Sequence, residues 1–120
     1  MAQKILVVDD EKEFTSLVAQ VLESRQYVVV QANSGQEALD LLSKDKFDLM
    51  TLDLNMPEMN GIEVAKITNE KYPDLKIMVI SGFGSKYDDE LPKYKIAKIL
   101  PKPVPFMDLL ASVKEVIAKS

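Results

Sequence analysis

The sequence contains no histidine and no cysteine. Without cysteine there are no disulfides and no thiolate metal sites, which suits a reducing compartment. Without histidine there is no Ser–His–Asp triad, no imidazole-ligated zinc and no phosphohistidine. Long apolar runs are also missing: none exceeds four residues, as in Ile5-Leu6-Val7-Val8, too short to span a bilayer, and Met1-Ala2-Gln3-Lys4 leads into no signal-peptide core. Positive charge is scarce. Lys and Arg number 15 against 19 Asp and Glu, for a net charge of −4, which argues against a nucleic-acid surface, since that needs clustered cations. Chemistry in this chain must therefore run on carboxylates, hydroxyls, amides and lysines.

What is present looks like one ordinary globular domain. The chain has 120 residues, 47% apolar and 28% charged, enough to bury roughly two thirds of its unfolded surface. Its most informative stretch runs from Leu49 to Gly61. Four apolar-rich residues of strand length deliver Asp53 to their carboxyl end, Asn55 follows, and Pro57 cannot continue a central strand because it has no N–H. Gly61 then opens a segment of helical pattern. Strand, carboxylate, loop and helix in that order are how open α/β sheets build their sites.

The rest of the chain repeats this alternation. Ile5–Val8 reads as a strand buried on both faces and runs into Asp9-Asp10. Phe14, Leu17, Val18, Val21 and Leu22 fall on one helical face. Tyr27–Ala32 reads as a valine-rich strand, and Ser34 with Glu37 has capping-box spacing ahead of Ala38, Leu41 and Leu42. A third helix after Gly61 should stop before Pro73. Ile77–Ile80 reads as a strand leading to Ser81-Gly82. A weak helix is expected over 83–94, disfavoured by Gly82, Gly84, Pro92 and the acidic run at 88–90. Ile96–Leu100 reads as a fifth strand, followed by Lys102-Pro103. Pro105 starts a last helix with Phe106, Leu109, Leu110, Val113 and Ile117 as its buried stripe. Five strands alternating with five helices predict an α/β, doubly wound parallel sheet in one domain over 1–120.

In a parallel sheet every carboxyl end lies on one edge, so Asp9, Asp10, Asp53, Ser81 and Lys102 should converge in one crevice. Singly, each is an ordinary strand-end residue. Together they demand compensation, because two carboxylates about 4 Å apart repel by roughly 4 kcal/mol at an effective dielectric near 20. A site of oxygen donors alone suits Mg²⁺ or Mn²⁺. A cation, a lysine and a hydroxyl around an aspartate are complementary to a phosphoryl group carried by that aspartate.

At this point the whole chain resembles the receiver domain of two-component response regulators. The resemblance rests on Asp9-Asp10, on Asp53 with Asn55, Met56, Pro57 and Gly61, on Ser81-Gly82, and on Lys102-Pro103. It implies a flavodoxin-like sheet of order 2-1-3-4-5 and a role for each residue. Asp53 would be the phosphoacceptor. Asp10 would ligate Mg²⁺ directly, Asp9 through water and Asn55 through its backbone carbonyl. Ser81 would bond the phosphoryl group and report its arrival, Lys102 would pair with a phosphoryl oxygen, and Lys102–Pro103 would be cis. Gly82, Asn55 and Phe83 would flank the phosphoryl group. Ile99 stands where the family often has an aromatic switch residue, so the signal is expected as an ordering or displacement of 83–95 with little repacking of Ile99.

The resemblance also implies a cytoplasmic, monomeric protein without membrane or nucleic-acid contacts. Its phosphate would come from a sensor histidine kinase or a histidine phosphotransfer protein, and a downstream protein would read the result. Turnover would be confined to its own Asp53. With no output segment after the last helix, a stand-alone regulator or an excised domain is expected. Three rivals fit less well. A Mg²⁺-dependent phosphohydrolase would want a second carboxylate where Asn55 stands, and a cap. A flavin or nucleotide carrier would need a phosphate-cradling loop where Asp9-Asp10 would repel one. A pure interaction module would not need the pocket.

Overall fold

A computed structural model describes residues 2–82 and 89–119 of the chain. Strands β1 (Lys4–Val8), β2 (Val28–Ala32), β3 (Leu49–Leu52), β4 (Lys76–Ser81) and β5 (Lys98–Pro101) alternate with helices α1 (Lys12–Glu23), α2 (Gly35–Lys44), α3 (Gly61–Lys71) and α4 (Phe106–Ala118). All pairings are parallel and the order is β2-β1-β3-β4-β5. The sheet is therefore the expected doubly wound one. Among the described residues there are four α-helices, not five. Of the span of the expected fifth, residues 83–88 lie outside the described ones, and the described remainder holds a 3-10 turn at Leu91–Lys93. Pro92 falls in the first turn of that element, where a missing N–H leaves no bond unmade.

Alternation along the strands splits the core into two layers. Leu6, Val8, Met50, Leu52, Ile77 and Val79 pack with Ala38, Leu42, Val64 and Ala65 of α2 and α3. Ile5, Val7, Leu49, Met78 and Ile80 pack with Val18, Leu22, Leu109, Val113 and Val116 of α1 and α4. Each fully buried aliphatic side chain contributes about 1.5–3 kcal/mol, so the two layers together hold the strand ends in register.

Helix faces differ from expectation in two places. In α1 the buried residues are Thr15, Val18, Ala19 and Leu22, while Leu17 is exposed. In α4 Phe106 is exposed, and Ser112 and Val116 join Leu109 and Val113 inside. Small residues, Thr15 and Ala19 in α1 and Ser112 in α4, thus take buried positions on these helices. The capping signals also resolve. Ser34 accepts a hydrogen bond from the Glu37 N–H, but Glu37 Oε1 accepts from Asn33 N–H, one residue earlier than a reciprocal box requires. The complete box is at α3, between Asn60 and Glu63. Strand β5 runs through Pro101, which is tolerated because β5 is an edge strand.

Candidate phosphoacceptor site

The site forms where β1, β3, β4 and β5 end. Parallel pairing sets its frame: Asp9 N–H donates to Ala32 O at 3.1 Å, Asp53 N–H to Val8 O at 3.1 Å, and Lys102 N–H to Ser81 O at 2.8 Å. Asp9, Asp53 and Lys102 are thus each tied by their own backbone to a neighbouring strand. Gly61 fixes the far side of the Asp53 loop. A Cβ there would lie 2.3 Å from the Asp53 carbonyl oxygen and 2.7 Å from Leu54 Cα, so only glycine lets α3 start this close.

Asp9, Asp10 and Asp53 each present a carboxylate oxygen, all within 4.8 Å of one another. Asp9 and Asp53 are buried and Asp10 is exposed. Asp9 is the best satisfied of the three. Its Oδ1 accepts from the Glu11 N–H at 3.0 Å and its Oδ2 from Lys102 Nζ at 2.7 Å. Lys102 Nζ also lies 3.9 Å from Asp53 Oδ1, 3.8 Å from Glu11 Oε1 and 4.5 Å from the centroid of the Phe14 ring.

Burial pushes the Asp53 carboxyl up to about 6, with repulsion from Asp9 adding to it, while Lys102 and the Asn55 backbone N–H pull the other way. Asp10 is raised as well, first by partial loss of hydration of its carboxyl, then by its hydrogen bond and repulsion with Asp9. Burial works against the charge on Lys102, but its hydrogen bond to Asp9 and the nearby Asp53 and Glu11 carboxylates win, leaving its pKa above the ordinary value. The crevice thus holds more negative charge than one lysine balances. Donors that are all oxygen, close together and electrostatically strained fit a hard divalent cation such as Mg²⁺. Asp10, Asp53 and Asp9 are the side chains that would hold it.

The opposite side of the crevice is looser. Ser81 is buried, and its Oγ accepts a long hydrogen bond from Asn55 Nδ2 at 3.4 Å. Gly82 is exposed. Ile99 is 53% exposed. It lines a groove of about 460 Å³ together with Leu54, Ser81, Gly82, Leu91 and Tyr94. Phe83 lies outside the described residues, as does much of the segment expected to move. The Lys102–Pro103 peptide is cis, as the resemblance implied.

Three residues around the site were not singled out from sequence. Phe14, expected only as core, faces Lys102. Glu11, the third member of an acidic run, stands near the same ammonium. Asn33 donates through Nδ2 to the Asp9 carbonyl at 2.9 Å and to Thr15 Oγ1 at 3.1 Å, tying the loop after β1 to the one after β2. An Asn just after a strand was a visible signal; which loop it reaches was not.

Comparisons with known proteins agree with this geometry. The family model described as the response regulator receiver domain matches residues 5–114. The chain is 34% identical over 118 residues to the response regulator receiver protein CpdR of Brucella abortus, covering 96% of this chain and 97% of that one. It is 36% identical over 118 residues to the transcriptional regulatory protein CpxR of Escherichia coli, covering 98% of this chain but only 50% of that protein. Among solved structures, the response regulator TrrA of Thermotoga maritima in complex with Mg²⁺ and BeF superposes with a TM-score of 0.86 at 32% identity, covering 95% of this chain and 98% of that one.

Proposed function

This chain belongs to the response regulator receiver domain family, and on that premise we propose that it accepts a phosphoryl group on Asp53 from a phosphohistidine of a sensor kinase or phosphotransfer protein. The observation that carries this reading is the cluster of Asp9, Asp10 and Asp53 within 4.8 Å, with Lys102 Nζ 3.9 Å from Asp53 Oδ1. In the transfer, an Asp53 carboxylate oxygen forms a bond to phosphorus as the phosphorus–nitrogen bond of the donor breaks, and the imidazole leaves with the electron pair. Asp53 must be ionised to attack, and with its pKa near 6 it is largely so at pH 7.

Mg²⁺, with Mn²⁺ able to substitute, would be held by Asp10, Asp53 and the Asn55 backbone carbonyl, and by Asp9 through water. Bound there, it supplies positive charge that lets three carboxylates share the crevice with phosphoryl oxygens. Lys102 offers ammonium donors to a phosphoryl oxygen, a charge-assisted bond that exists only after transfer. Ser81 Oγ, held among the described residues by one 3.4 Å hydrogen bond, can exchange that partner for a phosphoryl oxygen. The nearby TrrA complex with Mg²⁺ and BeF supports the same assignment by likeness. The chain would act on its own Asp53 alone, as a cytoplasmic monomer signalling to a downstream protein.

Intact-mass measurement after incubation with a small phosphodonor and Mg²⁺ tests this. One added phosphoryl group is expected, lost with chelator and lost in Asp53→Asn. Equal labelling of that variant, or labelling indifferent to chelator, overturns the assignment.

A further inference from the structure

Phe14 has two environments. It is half-buried and packs against the core layer formed with α1 and α4. Its ring also faces Lys102, whose Nζ lies 4.5 Å from the centroid, well within the distance at which a ring quadrupole attracts a cation. The ammonium has three donors. Among the described residues, only one is taken by a short contact in the crevice, to Asp9 Oδ2 at 2.7 Å, while Asp53 and Glu11 stand off at 3.9 and 3.8 Å. A ring face attracts the charge without competing as a lone-pair acceptor would. An aliphatic side chain in that place would cover the lysine but not attract it.

The alternative for the ammonium is visible in the same place. Glu11 is exposed, with 71% of its side chain accessible, and a flexible lysine stem can swing toward it and away from the crevice. We propose that Phe14 positions Lys102 for phosphoryl transfer, its ring holding the ammonium beside Asp53 while leaving donors available for a phosphoryl oxygen. This rests on Asp53 being the phosphoacceptor.

The test compares Phe14→Leu, which keeps apolar bulk, with Phe14→Tyr, which keeps a ring. Labelling of Asp53 by a small phosphodonor should slow about two- to fivefold in Phe14→Leu, the range a partly exposed cation–π contact supports. Phe14→Tyr should recover most of that loss. In a Lys102→Ala background Phe14→Leu should add nothing, which a merely structural role would not predict. An unchanged rate in Phe14→Leu, or equal slowing in both backgrounds, overturns the proposal. A separate readout needs no phosphorylation: the Lys102 ε-methylene resonances should be ring-shifted upfield in the wild type and lose that shift in Phe14→Leu. If the wild type takes no label but the shift is present and lost as expected, the phosphoacceptor reading fails and the Lys102–Phe14 contact stands; an absent shift overturns the contact itself.

Discussion

The two sides of the crevice are built differently. On the β1–β3 side, Asp9 has both oxygens engaged, Asp53 is buried, and Gly61 is wedged against the Asp53 backbone. On the β4–β5 side, Ser81 has one long hydrogen bond among the described residues, Ile99 is half in solvent, and a Cβ on Gly82 would meet no described atom within 4 Å. The first side is rigid and carries electrostatic strain. The second has room. A site that must bind charge reproducibly and then report it needs both: fixed oxygens for the chemistry, and space into which a hydroxyl and its surroundings can shift.

Breaking the rigid side should have the largest effect. Gly61→Ala forces a methyl group to within 2.3 Å of the Asp53 carbonyl oxygen. Backbone cannot yield as a side chain tip does, so we expect a loss of about 3 kcal/mol in urea denaturation. A loss below about 1 kcal/mol would show that the α3 start relaxes freely and that this side is not rigid.

The strain itself should be measurable as a gain. Asp53 in the folded protein has a pKa near 6 against 3.8 ordinarily, so the folded state holds the proton more tightly than the unfolded chain does. The stability this group contributes is greatest below about pH 4, falls as pH rises to about 6, and is level above. Asp53→Asn removes the titration. Without divalent cations it should be more stable than the wild type by on the order of 2–3 kcal/mol at pH 7, with the gap closing toward pH 4. Added Mg²⁺ should stabilise the wild type and not the variant. A gap independent of pH would mean that Asp53 does not carry the strain.

The loose side should hardly respond. Gly82→Ala is expected to change stability by no more than about 0.5 kcal/mol, because the added methyl group meets no described atom within 4 Å. A cost near that of Gly61→Ala would erase the contrast between the two sides.

Much of this was legible from residue order. Unbroken apolar runs of strand length such as Ile5–Val8 and Ile77–Ile80 fit strands buried on both faces, and parallel pairing then puts Asp9, Asp53, Ser81 and Lys102 on one edge. Strand order came from the resemblance. Helix faces were read less well. A period of 3.6 marks which side is apolar, but Leu17 and Phe106 are exposed, and the small Thr15 and Ala19 take buried places in α1 instead. The Asn60–Glu63 box had the right spacing in the sequence and was overlooked beside the more obvious Gly61. Of the helix expected over 83–94, the described residues 89–94 form only the 3-10 turn at Leu91–Lys93.

Residue identity and spacing alone determined that the site would be acidic, oxygen-rich, free of histidine and thiolate, and placed at the carboxyl ends of the strands. Those properties follow from chemistry and from the geometry of any parallel sheet. Only the tertiary structure decided which groups share charge. Lys102 lies 93 positions from Asp9 yet bonds to it, and it meets the ring of Phe14, a residue whose sequence pattern marked it as core. The depth of Asp53 and the space beside Ile99 belong to the same category. Pairing partners and burial depend on how helices settle on the sheet, and no local pattern encodes distances between residues that meet only when the chain closes.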